Sequence, residues 1–377
     1  MERPVVVFAG GGTGGHLYPA LALCEALQGL RPDITPHFVG ARRGIEARVL
    51  PQRGFEPLLL DIEGLSRASP LRNVGVVRKL VRAVHVTLAH YRRWRPRLVV
   101  VTGGYAAAPA GLAAVFLRIP LALQEQNSWP GVTTRMLARW ARQIHVAYPE
   151  CIPFLSARAR PRVQVSGNPI RALREESAAQ ARAALGLPDR PTLLVAGGSQ
   201  GSRALNERVL DAVRGVEGEA WPRPEALQLL WSTGPTHEEP VRAALRQLGD
   251  PEWVHVVPYI DDMPRALNAA DLALSRAGAM TTSEYLAAGL PSILLPLPTA
   301  AEDHQTRNAE ALAAADVAVH LPERSTDGRG LWSAVCALLH DPSKLRRMSE
   351  NARARGRPQA AQAIARALSE LLPEGDE

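Results

Sequence analysis

Short apolar runs alternate with helix-length amphipathic stretches along most of this chain. In the first half the runs predict strands at residues 5–9, 35–39, 98–102, 121–124 and 144–147. The alternation breaks at 161–169 and restarts with runs at 192–196, 228–231, 255–257, 272–274, 293–295 and 317–320. Strand, helix, strand in this rhythm is the signature of βαβ units on a parallel sheet. A second α/β domain is expected from near Ser177, so the reading assigns an N-terminal domain to 1–165 and a C-terminal domain to 166–357. Right-handed crossovers then make each half a doubly wound sheet, whose ligands collect beyond the carboxyl ends of the strands. The last segment, 358–377, contains an amphipathic helix over 358–372, with Ala361, Ile364, Ala365 and Leu368 on one face, and it is expected to pack back on the first domain.

Composition narrows the class. At 377 residues, with 46% hydrophobic and 21% charged positions, the chain suits two globular domains, and no apolar run approaches the ~20 residues of a membrane span. The first residues pass directly into a strand and a glycine loop without the apolar stretch of a secretory signal, so a cytoplasmic protein is expected. Cys24, Cys151 and Cys336 are odd in number and lack metal-ligand spacing, so reduced thiols are expected. The net charge of +7 rests almost wholly on arginine, since Lys79 and Lys344 are the only lysines, and it points to an anionic partner. Aromatic residues make up only 5% and do not interleave with basic runs, which argues against nucleic acid.

Candidate chemistry sits at strand ends. The first strand runs into Gly10-Gly11-Gly12-Thr13-Gly14-Gly15-His16 and then an amphipathic helix over 17–27. Such a loop offers backbone N–H groups at a positive helix end, where phosphate binds. Gly10, Gly12 and Gly15 also have the spacing of the dinucleotide fingerprint, but Gly40, Ala41, Arg42 and Arg43 stand where its ribose-binding acid belongs. An NADP-dependent oxidoreductase with Arg42 on a 2′-phosphate remains open. His16, at the loop-to-helix junction, is suited either to cap the helix or to take a proton from a sugar hydroxyl. The second domain repeats the arrangement with Gly197-Gly198-Ser199-Gln200-Gly201-Ser202 before a helix containing Asn206. Thr102-Gly103-Gly104-Tyr105 and the segment from Ser275 to Glu284 also follow strands, and Glu284 suits either a ribose diol or the dipole of its helix.

GGGTGGH, GIEARVLPQRGF, TGGY, EQN at 125–127, GNPIR at 167–171, GGSQGS, YIDDM at 259–263, SRAGAMTTSE and DHQTRNA at 303–309 follow one another in an order that resembles the motif series of the MurG family. The resemblance runs from residue 10 to 309. It implies a GT-B glycosyltransferase of two doubly wound Rossmann-like domains facing a cleft, with UDP-N-acetylglucosamine as donor. The implied reaction is an inverting transfer of N-acetylglucosamine to the muramyl 4-hydroxyl of undecaprenyl-linked lipid I. Carried over by motif, donor contacts fall on Thr13, Gly14, Gly15, Asn127, Arg171, Ser199, Ile260, Ala279, Met280, Thr281, Thr282, Ser283, Glu284 and Gln305. His16 takes the position of the base, and Tyr105, Glu125 and Gln126 lie on the acceptor side. His304 stands where other members can have Gln, and Trp129 puts a bulky ring on an acceptor-side loop. Asp261-Asp262 reads as a helix cap rather than a metal site, so no obligatory cofactor or metal is expected. The implied setting is peripheral, on the cytoplasmic face of the bacterial plasma membrane, alongside other cell-wall synthesis proteins. The alternatives are a UDP-N-acetylglucosamine 2-epimerase, the NADP oxidoreductase above, and a non-catalytic membrane-surface module.

Membrane contact is expected from 71–97. Val74, Val77, Val81, Val84, Leu88 and Tyr91 follow helical spacing and are assigned to the sheet-facing stripe. Val76, Leu80 and Ala83 lie beside Arg72, Arg78, Lys79 and Arg82, and Arg78, Lys79, Leu80 and Arg82 are assigned to an anionic lipid surface.

Overall fold

The computed structural model describes residues 3–64 and 70–373, with the side chains of 70–72 excepted. The described chain forms two compact units. The first runs through Ile170 and is joined by the stretch from Gln359 onward; the second is Arg171–Pro358.

In the first unit the strands are β1 Val5–Ala9, β2 Thr35–Ala41, β3 Leu58–Leu60, β4 Leu98–Val101, β5 Leu121–Glu125, β6 Gln143–Val146 and β7 Val163–Val165. The helices are α1 Gly14–Leu30, α2 Glu46–Gln52, α3 Pro70–Trp94, α4 Ala108–Phe116 and α5 Val132–Leu137. In the second unit α6 Ala178–Ala184, α7 Arg203–Glu217, α8 Glu238–Gln247, α9 Met263–Ala269, α10 Ala279–Ala288, α11 His304–Ala314, α12 Gly328–Leu339 and α13 Pro342–Arg355 surround a second sheet. Its strands are β8 Thr192–Ala196, β9 Gln228–Ser232, β10 Val254–Val257, β11 Leu272–Ser275, β12 Ser292–Leu294 and β13 Ala318–His320. The last helix, α14 Ala360–Ser369, belongs to the first unit.

Every strand pair is parallel, in the orders β3-β2-β1-β4-β5-β6-β7 and β10-β9-β8-β11-β12-β13. Successive residues of β1 go to opposite layers. Val7 and Ala9 join Val99, Val101 and Tyr91 on one face, while Val6 and Phe8 join Leu17, Leu23, Leu27, Ile364 and Leu368 on the other. The two-residue period of a strand buried on both faces is thereby filled by α3 and α4 on one side and by α1 and α14 on the other. The second unit closes its core with Leu193, Val195, Trp231, Leu274 and Leu331. Two three-residue strands at the edges of the first sheet, β3 and β7, add to those the hydrophobic pattern predicts.

The stripe assigned along α3 is corrected by the structure. Leu80, Ala83, Val84, Leu88 and Tyr91 pack on the core, whereas Val74, Val77 and Val81 are 72%, 52% and 51% exposed. The cause is geometric. The assigned stripe repeats every 3.5 residues while the helix turns every 3.6, so it drifts by about 20° per heptad and slides off the buried face toward the N-terminal end.

Candidate active site

Each sheet reverses its strand order once, between β1 and β4 in the first unit and between β8 and β11 in the second. At such a switch point neighbouring connections leave in opposite directions and open a crevice beyond the carboxyl ends of the strands. The four glycine-containing segments singled out from sequence follow these four strands.

In the first unit the loop after β1 meets the Thr102–Tyr105 turn after β4. Gly103 and Gly104 have φ of +89° and +78°, and a Cβ on Gly104 would come within 2.4 Å of the Gly11 carbonyl and 2.9 Å of the His16 ring. Glycine here supplies both the left-handed backbone and the room in which the imidazole lies. The His16 carbonyl accepts a bond from the Thr102 hydroxyl at 2.7 Å, which fixes the base of the side chain. Its Nδ1 stands 2.8 Å from Gln126 Oε1 and 3.1 Å from the Thr102 carbonyl. None of the described residues bonds to its Nε2. Tyr105 lies against Gly12, whose lack of a Cβ leaves the ring its space, since a Cβ there would come within 2.7 Å of it. Burial, followed by the charges of Glu46 and Glu63, raises the Tyr105 phenol above its usual range.

Glu46 is the residue here that motif reading passed over. It is fully buried at the start of α2. Both of its oxygens lie 3.0 Å from Gly12 N, which donates to them, and Ala41 N donates to Oε1 at 2.6 Å. Side chains at Gly11, Gly40 or Gly44 would strike this carboxylate. The loop after β1 therefore carries its own internal acid, and part of its N–H capacity is already used. A signal was present in the sequence, in the Glu of GIEARVL, but nothing in its spacing connects it to a loop 34 residues away.

Glu125 and Gln126, assigned to the acceptor side, turn inward instead. Glu125 is 2% exposed and accepts from Asn127 N, Asn127 Nδ2 and Gly131 N, so it shapes the loop that carries Trp129. Gln126 is 1% exposed and lies beneath His16. Glu125 ends the buried strand β5 and Gln126 follows it, and an amide or carboxylate there finds main-chain partners before it finds solvent. Trp129 packs on Phe154 with the ring planes tilted by 51°, and the Arg135 guanidinium lies 5.6 Å from its ring.

In the second unit the loop after β8 reaches α7, whose N-cap is Ser202. Gly201, at φ +74°, has no space for a Cβ because the Thr233 carbonyl would lie at 1.9 Å. Ser199 is exposed at the loop. Beneath it the buried Arg276 guanidinium donates to Ser202 Oγ at 2.9 Å and to the Leu295 and Pro296 carbonyls, and it pairs with Glu323. Arg276 lay inside a recognised motif without being assigned a part. The segment after β11 opens α10, with Gly278 as N-cap and the half-exposed Ala279, Met280 and Thr281 in the first turn. Thr282, Ser283 and Glu284 are buried on the following turn. Arg171 Nε donates to Glu284 at 3.2 Å, and Arg171 also reaches the Asp261 carbonyl of the segment that holds the buried Ile260. Burial raises the Glu284 carboxyl above its usual range, and Arg171 offsets part of that rise. Gln305, in the first turn of α11, accepts from Leu297 N at 3.0 Å. Asp262 caps α9 through Arg265 N and pairs with Arg174. A hollow of about 840 Å³ lined by Trp221, Pro222, Arg223 and Trp253 opens at the far end of α7 and contains none of these groups.

On α3, Lys79 is tied to Asp61 at 3.3 Å and Glu63 at 2.6 Å, and Leu80 packs on the core. The Lys79 charge is offset by the two acids and Leu80 is half-buried against the core, so neither leads a contact with an anionic surface. Arg78 and Arg82 are exposed beside the valines described above.

The Glycosyltransferase family 28 N-terminal domain matches residues 6–146 and the C-terminal domain of the same family matches 192–364. A Salinibacter ruber protein is 40% identical over 376 residues, covering 97% of this chain and 96% of its own. A Chlorobaculum tepidum protein is 38% identical over 372 residues, covering 97% and 99%. Both carry the name UDP-N-acetylglucosamine–N-acetylmuramyl-(pentapeptide) pyrophosphoryl-undecaprenol N-acetylglucosamine transferase. The crystal structure of Acinetobacter baumannii MurG superposes with a TM-score of 0.77 at 27% identity, covering 98% of this chain and 99% of that one. This chain belongs to the MurG family. A Listeria monocytogenes structure titled a putative UDP-N-acetylglucosamine 2-epimerase shares the fold with a TM-score of 0.68, but at 18% identity it speaks for architecture alone. The MurG-family match extends over both units.

Proposed function

We propose that this chain transfers N-acetylglucosamine from UDP-N-acetylglucosamine, with inversion, to the muramyl 4-hydroxyl of undecaprenyl-linked lipid I, giving lipid II for peptidoglycan synthesis. The names of its full-length relatives support the substrates. In this reading the donor goes to the second unit and the acceptor to the first, and the observation that carries this is the helix N-terminus of α10 beside Glu284 and Arg171, against the Glu46 carboxylate under the first loop. A diphosphate is favoured at the N-terminus of α10 and disfavoured beside a buried acid. In this reading Ser199, Arg171 and the first amides of α10 hold the diphosphate, the Ile260 backbone meets the uracil edge, and Glu284 meets the ribose. The neutral acceptor hydroxyl goes to His16. Nε2 takes its proton as the oxygen attacks the anomeric carbon, and UDP leaves with the bonding electrons. Thr13, Gly14, Gly15, Asn127 and Gln305 are further donor contacts in this reading. The charge on departing UDP is met by Arg171 and helix N–H groups, so turnover should persist in EDTA.

The deciding assay supplies labelled UDP-N-acetylglucosamine with and without lipid I. UDP release that depends on acceptor, with formation of the disaccharide lipid, upholds the transfer. Acceptor-independent interconversion of the donor sugar would make the protein an epimerase instead.

Peripheral attachment to the cytoplasmic face of the membrane belongs to the same reading. Among the described residues no helix is long and apolar enough to cross a bilayer. Val74, Val77 and Val81, set among Arg78 and Arg82, support contact with an anionic leaflet. Changing Val77 and Val81 to Asp should abolish salt-sensitive co-sedimentation with anionic vesicles, while transfer to a short soluble acceptor survives. Unchanged pelleting would move the membrane face off this helix.

A further inference from the structure

The side chains under His16 form a chain of amides whose orientation is rooted in main-chain carbonyls. Asn168 Nδ2 donates to the Gln126 carbonyl at 3.1 Å, and a carbonyl can only accept. The other end of Asn168, Oδ1, therefore faces Gln124 and takes a bond from its Nε2 at 2.8 Å. That leaves Gln124 Oε1 toward Gln126, whose Nε2 donates to it, to the Thr102 carbonyl at 2.7 Å and to the Gln124 carbonyl at 3.1 Å. Three acceptors surround one end of Gln126, so that end is the amide nitrogen. Its oxygen is consequently the atom 2.8 Å from His16 Nδ1. The second neighbour of Nδ1, the Thr102 carbonyl at 3.1 Å, is also only an acceptor. Both contacts require a proton on Nδ1, which in a neutral ring puts the lone pair on Nε2.

We propose that Gln126 is a positioning residue that holds His16 in the Nδ1–H tautomer, with Gln124 and Asn168 setting which end of Gln126 meets the ring. The three amides are each 1% exposed. In buried surroundings a reversed amide would set its oxygen against the Thr102 and Gln124 carbonyls, so the orientation is strongly specified. The ring lies in the room that Gly103 and Gly104 leave, and a flipped imidazole would turn a carbon toward both acceptors. The consequence rests on the reading of His16 as the base: an Nε2–H ring of the same position could not accept the hydroxyl proton.

The test is imidazole ¹⁵N NMR on the full chain, with the His16 signals among ten histidines assigned by their loss in His16→Ala. The wild type should show a protonated Nδ1 and a bare Nε2 at neutral or mildly alkaline pH. Gln126→Met, which fills the space without an acceptor, should give a mixture of tautomers and lower kcat by roughly tenfold or more with donor KM unchanged. A wild-type ring protonated on Nε2 overturns the proposal without any variant having to fold, and so does an unaltered tautomer in Gln126→Met. If the tautomer mixes in the variant and turnover does not change, the amide chain stands and the base assignment to His16 falls.

Discussion

The two switch points are alike in backbone and opposite in what lies beneath them. Both place a glycine loop and a second glycine turn at adjoining strand ends. Under the first loop sit a carboxylate that takes the Gly12 N–H and an amide chain that holds an imidazole. Under the second sit a buried Arg276–Glu323 ion pair and a helix N-terminus. The difference teaches that a glycine loop after a strand is not by itself an anion site. A buried acid behind the loop opposes an anion, because an ion in a low-dielectric setting dominates the partial charges of a few amides, whereas a closed ion pair leaves the field to the helix N-terminus.

Removing the buried acid should break the contrast with the largest effect. Glu46→Ala leaves Gly12 N and Ala41 N without a partner in a buried place, and about 4 kcal/mol of the first unit's stability should disappear. Urea unfolding measures the loss, and a midpoint unchanged from wild type would deny Glu46 its role under the loop.

Acid should separate the two units next. Burial holds His145, 1% exposed on β6, down to about 4 from a usual 6.5. The unfolded chain binds this proton first, so its contribution is complete above pH 6.5 and falls away as pH drops toward 4, to a total of about 3 kcal/mol. In the second unit His255 is also lowered, but it is only half-buried. Hydrogen exchange between pH 7 and 4.5 should show the first unit loosening before the second, and His145→Gln should flatten that dependence. Equal loosening in both units would place the acid sensitivity elsewhere.

The remaining substitutions sharpen the contrast in catalysis. His16→Ala should lower kcat by about 10²-fold with near-normal donor binding. Full turnover would leave His16 a structural residue of the loop. The smallest effect is expected at Glu284: replacement by Ala should raise donor KM by about tenfold while the fold survives, and calorimetry with UDP should show the same loss. Unaltered UDP affinity would remove Glu284 from the ribose.

The sequence by itself determined the two parallel sheets, because strands buried on both faces must be apolar without interruption and their crossovers must be helices. It also marked the four glycine segments and the family, since glycine at a positive φ or a close approach admits no substitute. It could not show what lies behind those glycines. Glu46 reaches Gly12 across 34 positions, Gln126 reaches His16 across 110, and Arg276 reaches Ser202 across 74. Such pairings leave no periodicity in the chain. It also could not orient α3, where a heptad stripe and a 3.6-residue helix agree at one end and part at the other, and only packing on the sheet chose the buried face. Patterns of local period are written in sequence because neighbouring residues share a surface. Which polar group satisfies which is settled only in three dimensions, where burial removes water as the alternative partner.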